Sequence, residues 1–213
     1  MPSYTVQADV VDVSTDTPIS SDVFWVDTNV WLWMTYGRLL QRAPDRQPRT
    51  YQTRHYPSYL KNGLRRSCQF HWLGLSLSEL ARQIEDAERE IAEGSGQVPP
   101  QTRPKEFRHD YPLLRQAVVQ EVESCWRSIE QLAAPLPNVP LVDQMAVDTA
   151  ITDMQSCPLD AYDLFALQAI RASGITQVLT DDGDFCTVPG ITLFTANRGV
   201  IEAARAQRKL VKR

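Results

Sequence analysis

The sequence has few of the residues that build zinc sites, disulfide frameworks or membrane spans. Its 213 residues include four cysteines and three histidines, with no CxxC pair among them, so a zinc site is not expected. No apolar stretch approaches the roughly 18 residues that a membrane helix needs, and no charged start followed by an apolar run opens the chain. We therefore predict a cytoplasmic protein with no membrane association, whose cysteines are buried apolar side chains.

The composition indicates a globular domain rather than a disordered chain. Hydrophobic residues make up 43% of the sequence, and the formal net charge of −4 argues against a protein whose whole surface coats nucleic acid. The length fits a single domain. We assign residues 1–22 to an N-terminal lead-in and residues 23–213 to one domain, with an insertion at 41–74.

Apolar runs alternate with helical patterns along the chain. Strands are predicted at 23–27, 176–180 and 191–195, with a further short strand at 141–142. Helices are predicted over 28–40, 75–94, 111–134, 144–154 and 160–173, and another is capped by Asn197. Gly174 ends the fifth of these helices. This alternation predicts an α/β fold, a three-layer αβα arrangement with a central, mainly parallel sheet and an extended helical and basic insertion.

Acidic residues stand at the strand ends and helix starts of this pattern. They are Asp27 after the first strand, Glu79 in the first turn of the second helix, Asp160 and Asp163 at a helix start, and Asp182 and Asp184 in a turn after a strand. Each has an ordinary structural explanation. Asp27 and Asp160 could cap helices, Ser76 and Glu79 match a capping box, and DDGD is common turn composition.

The acids carry more information together than singly. In a parallel sheet the carboxyl ends of the strands share one edge, where α/β ligand sites form. We therefore expect the strands of Asp27 and Asp182 to be parallel neighbours or near neighbours, with Asp27, Glu79, Asp163 and Asp182 around one acidic pocket. Clustered carboxylates repel one another unless a cation lies between them. Oxygen ligands without histidine or cysteine suit Mg²⁺ or Mn²⁺, which activate water and neutralise charge on a reacting phosphate.

Four motifs, VDTNVW, SLSEL, DAYDLFALQAIRASGI and VLTDDGDF, resemble the PIN-domain family in order and setting over roughly residues 22–195. VapC-like members of that family are ribonucleases. The resemblance implies that Asp27, Glu79, Asp163 and Asp182 bind divalent metal and carry catalysis, with Asp184 as a further metal ligand. Asn29, Thr180 and Asp160 are expected to hold these acids in position without binding the metal themselves, although an N-cap role is favoured for Asp160. The implied reaction is endonucleolytic hydrolysis of RNA phosphodiester bonds.

The chain departs from compact family members in its long segments before and after Glu79. These segments weaken the assignment as the toxin of a toxin–antitoxin pair more than the assignment as a nuclease. The resemblance raises an antitoxin protein as a further partner, and the basic segments described below could also contact a second copy of the chain. Two other functions stay open: a PIN-like nucleic-acid-binding module without catalysis, and an α/β phosphatase. The phosphatase lacks its expected D-x-D pattern, because Thr28 and Asn29 follow Asp27.

A basic segment at 38–66 stands out against the acidic remainder. It contains eight cations and one acid, a net charge of +7, with three tyrosines interleaved. Arginines can bind phosphates and tyrosines can stack on unpaired bases, so single-stranded RNA is the expected ligand. We name Arg46, Arg49, Arg54, Arg65 and Arg66 as its contacts. Pairing of these arginines with the protein's own acids is the alternative, and the basic end at 205–213 is a rival RNA or protein contact.

Overall fold

The computed structural model describes residues 4–137, 144–155 and 157–213. They form an α/β fold around a six-stranded sheet in which every strand pairing is parallel. The three-layer αβα prediction is confirmed. The strands are β1 (Asp9–Asp12), β2 (Val23–Val26), β3 (Gln69–Trp72), β4 (Ala134–Pro135), β5 (Gln177–Leu179) and β6 (Thr192–Thr195), in the order β1-β6-β5-β2-β3-β4.

Helices cover both faces of this sheet. They are α1 (Thr28–Thr35), α2 (Thr50–Arg65), α3 (Gly74–Gly94), α4 (Pro104–Asp110), α5 (Pro112–Leu132), α6 (Gln144–Asp153), α7 (Ala161–Ser173) and α8 (Arg198–Ala206). Two short 3₁₀ turns, Leu39–Gln41 and Pro44–Arg46, join α1 to α2, and a third, Asp184–Thr187, follows β5. Within the described residues, no helix is both long and apolar enough to cross a membrane.

The protein has two hydrophobic cores, one on each face of the sheet, and the two-residue period of the strands explains both. Phe24 and Val26 point into a core with α1 to α5, whereas Trp25 between them points into a second core with α6, α7 and α8. Successive side chains of a strand lie on opposite faces of a sheet, so a strand covered on both faces is apolar throughout. All four cysteines are buried, as predicted.

The centre of the sheet is where the chain changes direction. From β2 the chain proceeds to β3 and β4 on one side, and it later returns to form β5 and β6 on the other. β2 pairs with β5 in parallel, with Val26 opposite Leu179, which confirms the predicted pairing. Ligand sites of open α/β sheets lie at the carboxyl ends of the strands at such a switch point. Asp27 and Thr180 directly follow these two strands.

Several predicted elements differ from those observed. The helix predicted over 28–40 ends at Thr35, and the lead-in contributes β1, which pairs with β6. The basic segment contains the 16-residue helix α2, which is not among the predicted helices. The strand predicted at 141–142 lies outside the described residues. Gly174 ends α7 with a φ of 74°, and the side chain of Asn197 caps α8, both as predicted.

Candidate metal centre

Asp27 occupies the N-cap position of α1, but its carboxylate does not cap the helix. Instead Oδ2 accepts hydrogen bonds from the Thr180 hydroxyl at 2.6 Å and, more weakly, from the Asn29 amide at 3.4 Å. The side chain is buried, with 3% of the residue exposed. Because this carboxylate makes no cap hydrogen bond, the capping explanation fails for Asp27. A buried carboxylate is also costly to keep ionised.

Thr180 connects two of the predicted metal-binding acids. It is fully buried; its hydroxyl donates to Asp27 and accepts from the backbone N–H of Asp182 at 2.9 Å. Asp182 Oδ1 in turn accepts from the backbone N–H of Asp184 at 2.8 Å. This chain of bonds fixes the turn after β5 relative to the end of β2, which is the supporting role predicted for Thr180.

Glu79 lies deeper in its helix than the sequence pattern predicts. Because α3 begins at Gly74 and Leu73 is its N-cap, no acid lies in the first turn, and both the first-turn placement and the capping-box interpretation are wrong. Glu79 Oε1 accepts from Gln83 Nε2 at 3.0 Å, and the same nitrogen donates to Asn29 Oδ1 at 3.1 Å. Glu79 Oε2 is buried with no hydrogen-bond partner among the described residues.

Asp160 and Asp163 have separate roles at the start of α7. Asp160 is the N-cap, since its carboxylate accepts from the backbone N–H of Asp163 at 3.0 Å, as favoured from sequence. Asp163 itself is buried, with 9% of the residue exposed. Burial, followed by the charges of Asp27, Asp160, Asp182 and Glu79, raises the pKa of Asp163 to about 9.

The remaining acids share this electrostatic environment. Burial, then the charge of Glu79 and more weakly that of Asp182, raises the pKa of Asp27 to about 7. Burial also raises the pKa of Asp182 and of Asp184. A carboxylate whose charge raises the pKa of another lies within electrostatic reach of it. The structure thus brings Asp27, Glu79, Asp163 and Asp182 to one region, with Asp184 beside Asp182.

The donor chemistry of this region fits a hard divalent cation, although the side chains do not converge on a point. In the part of the chain that the structure describes, no three His, Cys, Asp or Glu side chains are arranged to hold a metal ion. The unpartnered buried oxygen of Glu79 and the mutual repulsion of the acids are what a bound cation would relieve,. Mg²⁺ or Mn²⁺ takes such oxygen ligands; binding requires the carboxylates to move closer together.

Sequence reasoning missed two residues at this centre and a third beside it. Tyr162 places its hydroxyl 3.4 Å from that of Thr28 and 3.5 Å from that of Ser76, and burial raises its pKa to about 12. Gln83 joins Glu79 to Asn29; its position four residues after Glu79 was the available signal. Asp181 binds the basic insertion rather than the acidic cluster, and no signal separates it from Asp182 in the sequence.

Asp181 anchors the start of α2. One of its oxygens accepts from the Tyr51 hydroxyl at 2.9 Å and the Gln52 amide at 2.7 Å, and the other from the Tyr56 hydroxyl at 2.6 Å. Tyr56 and Tyr59 are buried, with 0% and 2% of each residue exposed. The expectation that the interleaved tyrosines stack on bases is therefore wrong for these two.

The basic segment divides into paired and exposed cations. Arg38 and Arg42 form ion pairs with Glu88 and Glu90 of α3, as the alternative interpretation predicted. The five arginines named as RNA contacts are all exposed, and one of them pairs with Asp45 at 3.7 Å; they are Arg46, Arg49, Arg54, Arg65 and Arg66.

The basic end of the chain is partly engaged by the lead-in. Arg213 pairs with Asp16 and with Asp22, and its guanidinium lies 4.6 Å from the centre of the Phe194 ring. Lys209 lies 3.5 Å from Asp9. These cations neutralise acids of residues 9–22, whereas Arg205 stays exposed.

Comparison with known proteins leaves the family open. No model of a known protein family matches the chain, and no curated protein matches it significantly. The relation to the PIN-domain family therefore stays a hypothesis that rests on the four motifs and on the arrangement of their acids.

Gly183, in the acidic turn, makes room for Tyr4 of the lead-in. A Cβ on Gly183 would lie 2.2 Å from the Tyr4 hydroxyl oxygen, although its φ of −70° suits any residue. Gln207 holds Tyr4 there, donating to the Tyr4 carbonyl at 2.8 Å and accepting from the Val6 N–H at 2.9 Å. The lead-in therefore packs on the turn that carries Asp182.

We predict that Gly183→Ala displaces the Tyr4 ring. Gly183→Ala and Tyr4→Ala should each lower the free energy of unfolding by about 1 kcal/mol, because both remove the same packing. The double variant should lose no more than either single one, a coupling that urea unfolding of all four proteins measures. Additive losses would show that the two residues do not depend on each other.

Proposed function

We propose that this protein is a divalent-metal-dependent ribonuclease that hydrolyses RNA phosphodiester bonds at the Asp27, Glu79, Asp163 and Asp182 centre. The observation that supports the proposal best is electrostatic. Burial, together with the charges of Glu79 on α3 and Asp182 in the turn after β5, raises the pKa of both Asp27 and Asp163. A fold seldom gathers buried acids without a cationic partner, since each added charge destabilises the others.

The chain's own residues would hold the acids in place. Thr180 orients Asp27 and the Asp182 turn, Gln83 and Asn29 orient Glu79, and Asp160 fixes the first turn of α7, where Asp163 lies. Mg²⁺ or Mn²⁺ bound by these acids would supply Lewis-acid activation of water and neutralise charge that develops on the phosphate. The four acidic motifs contain no lysine or histidine to act as a general base, which suits such chemistry.

Labelled single-stranded RNA tests the proposal directly. The full chain should cleave this RNA in the presence of Mg²⁺ or Mn²⁺, and cleavage should stop when a chelator is added. A lack of cleavage at any concentration of either metal would contradict it.

A nucleic-acid-binding module without catalysis is the second candidate. It is favoured by the finding that, among the described residues, no three ligand-type side chains converge as they would in a formed metal centre. Binding of RNA without cleavage in either metal would identify this function. Release of inorganic phosphate from a small ester would instead indicate a phosphatase.

A further inference from the structure

A groove of about 320 Å³ lies between α2 and α8, beyond the acidic centre. Its floor includes Asp12 at the end of β1 and Ala196 directly after β6, so it opens at the same edge of the sheet as the four acids. Tyr51 lines one wall and also donates its hydroxyl to Asp181. Tyr51 thus connects the groove wall to Asp181, the residue before Asp182 in the sequence.

Asp181 is held from both walls of the groove. Tyr51, Gln52 and Tyr56 reach it from α2, and the amide of Asn197, the N-cap of α8, donates to its carbonyl at 2.9 Å. Both walls of the groove are thus fixed to the turn that carries Asp182. The groove lies at the carboxyl ends of β1 and β6, and β6 pairs with β5, the strand that this turn follows.

The α8 wall presents two cations that the described protein does not neutralise. Arg198 and Arg205 both line the groove and are exposed, and neither forms an ion pair with another described residue. Seven residues apart, they lie on one face of the helix about 10.5 Å apart along its axis. Planar guanidinium groups bind phosphate oxygens in pairs.

The α2 wall of the groove contains side chains that can stack on a nucleic-acid base. Tyr51 and His55 are four residues apart and line the same side of the groove. Arg54, next to His55 on α2, is exposed. Aromatic and imidazole rings stack on unpaired bases without sequence preference.

Two acids oppose a polyanion in this groove. Asp12 accepts hydrogen bonds from the backbone and hydroxyl of Ser14, so its charge is partly satisfied. Glu202 lines the groove, is exposed, and lies between Arg198 and Arg205 on α8. Its presence makes a sharp test available, because removing this charge should have the opposite effect to removing an arginine.

We propose that the groove between α2 and α8 binds single-stranded RNA next to the acidic centre, with Arg198 and Arg205 on phosphates and the Tyr51 and His55 side facing a base. The proposal rests on the proposed function for its substrate class. It places the RNA strand in this groove rather than on the basic segment alone.

The test is binding of a fluorescently labelled single-stranded oligoribonucleotide by the full chain, measured by anisotropy against salt in a chelator so that cleavage does not occur. Arg198→Gln with Arg205→Gln should weaken binding and reduce the slope of log affinity against log salt by about 1.4, at about 0.7 per lost phosphate contact. Glu202→Gln should tighten binding.

The matched control is Arg103→Gln with Lys105→Gln, which removes two exposed cations at α4 and should leave the slope within about 0.3 of the unaltered chain. A variant in which five exposed arginines of the insertion are replaced by glutamine, measured in the same way, compares the two surfaces; they are Arg46, Arg49, Arg54, Arg65 and Arg66. A double groove variant that behaves like the control, or an unaltered chain that does not bind the oligonucleotide, would overturn the proposal.

The outcomes separate the groove from the catalytic proposal. Binding that depends on Arg198 and Arg205, without cleavage in any metal, would support the groove and contradict the nuclease. Cleavage with an unchanged salt slope in the double variant would do the reverse. Thermal unfolding followed by circular dichroism should show that all variants are folded, since both arginines are exposed and neither forms an ion pair with another described residue.

Discussion

Asp27→Asn should remove metal-dependent cleavage of RNA and at the same time stabilise the metal-free protein. Asparagine has the same shape and can still accept the hydrogen bond from Thr180, but it carries no charge to repel Glu79 and Asp182. Since one pKa unit corresponds to about 1.4 kcal/mol, the gain in the free energy of unfolding at pH 8 should be roughly 1–4 kcal/mol. Replacing a residue that only hydrogen-bonds to a metal ligand typically lowers activity about ten- to a hundredfold. Because Asp27 is itself a proposed ligand, cleavage should fall on the order of a hundredfold or more.

Urea unfolding in a chelator and cleavage of labelled RNA in Mn²⁺ measure the two effects on the same preparations. The matched control is Asp110→Asn, which removes an exposed carboxylate at the end of α4 and should change neither quantity. A variant that unfolds, or is less stable than the unaltered chain, would show that Asp27 is a structural residue. Cleavage at the normal rate would remove Asp27 from the proposed centre.

The fold could be predicted because its signals are local. The apolar runs of β2, β5 and β6 are continuous since both faces of the sheet are covered, and α7 and α8 carry their caps, Asp160 and Asn197, in the sequence. Helix α2 could not be predicted in this way. It contains Pro57 and many charges, and its buried residues, among them Tyr56 and Tyr59, are polar aromatic side chains that sequence patterns do not distinguish from stacking residues.

The site was predictable in its members but not in its details. Strand ends in a parallel sheet lie at one edge, so Asp27 and the turn after β5 had to be neighbours once the two strands paired. The exact start of α3 decides whether Glu79 caps the helix or projects from its second turn, and helix ends are where sequence signals are weakest. The side-chain partners of Asp181 lie on α2, more than a hundred positions away, so no local pattern contains them. Asp182 instead bonds with Thr180 and Asp184, two residues away on either side.

The stability of the metal-free protein should fall as pH rises from about 4 to 9. An unfolded aspartate loses its proton near its ordinary pKa of 3.8, whereas folded Asp27 keeps it to about 7 and folded Asp163 to about 9. Between these values the folded state binds more protons than the unfolded state, so the free energy of unfolding decreases with pH, by up to about 1.4 kcal/mol per pH unit for each group. Above about pH 7 folded Asp27 has lost its proton, so it changes the free energy of unfolding no further. Of this pair, only Asp163 still lowers the free energy of unfolding between pH 7 and 9.

Asp163→Asn should therefore flatten the pH dependence between pH 7 and 9, while Asp110→Asn should leave it unchanged. Urea unfolding at half-unit steps from pH 5 to 9 in a chelator measures both slopes. Adding Mn²⁺ should reverse the trend in the unaltered chain, because the carboxylates bind a cation only after they lose their protons. Equal slopes in Asp163→Asn and the unaltered chain would show that Asp163 ionises near its ordinary pKa, and would contradict the effect of burial and of the neighbouring acids on Asp163.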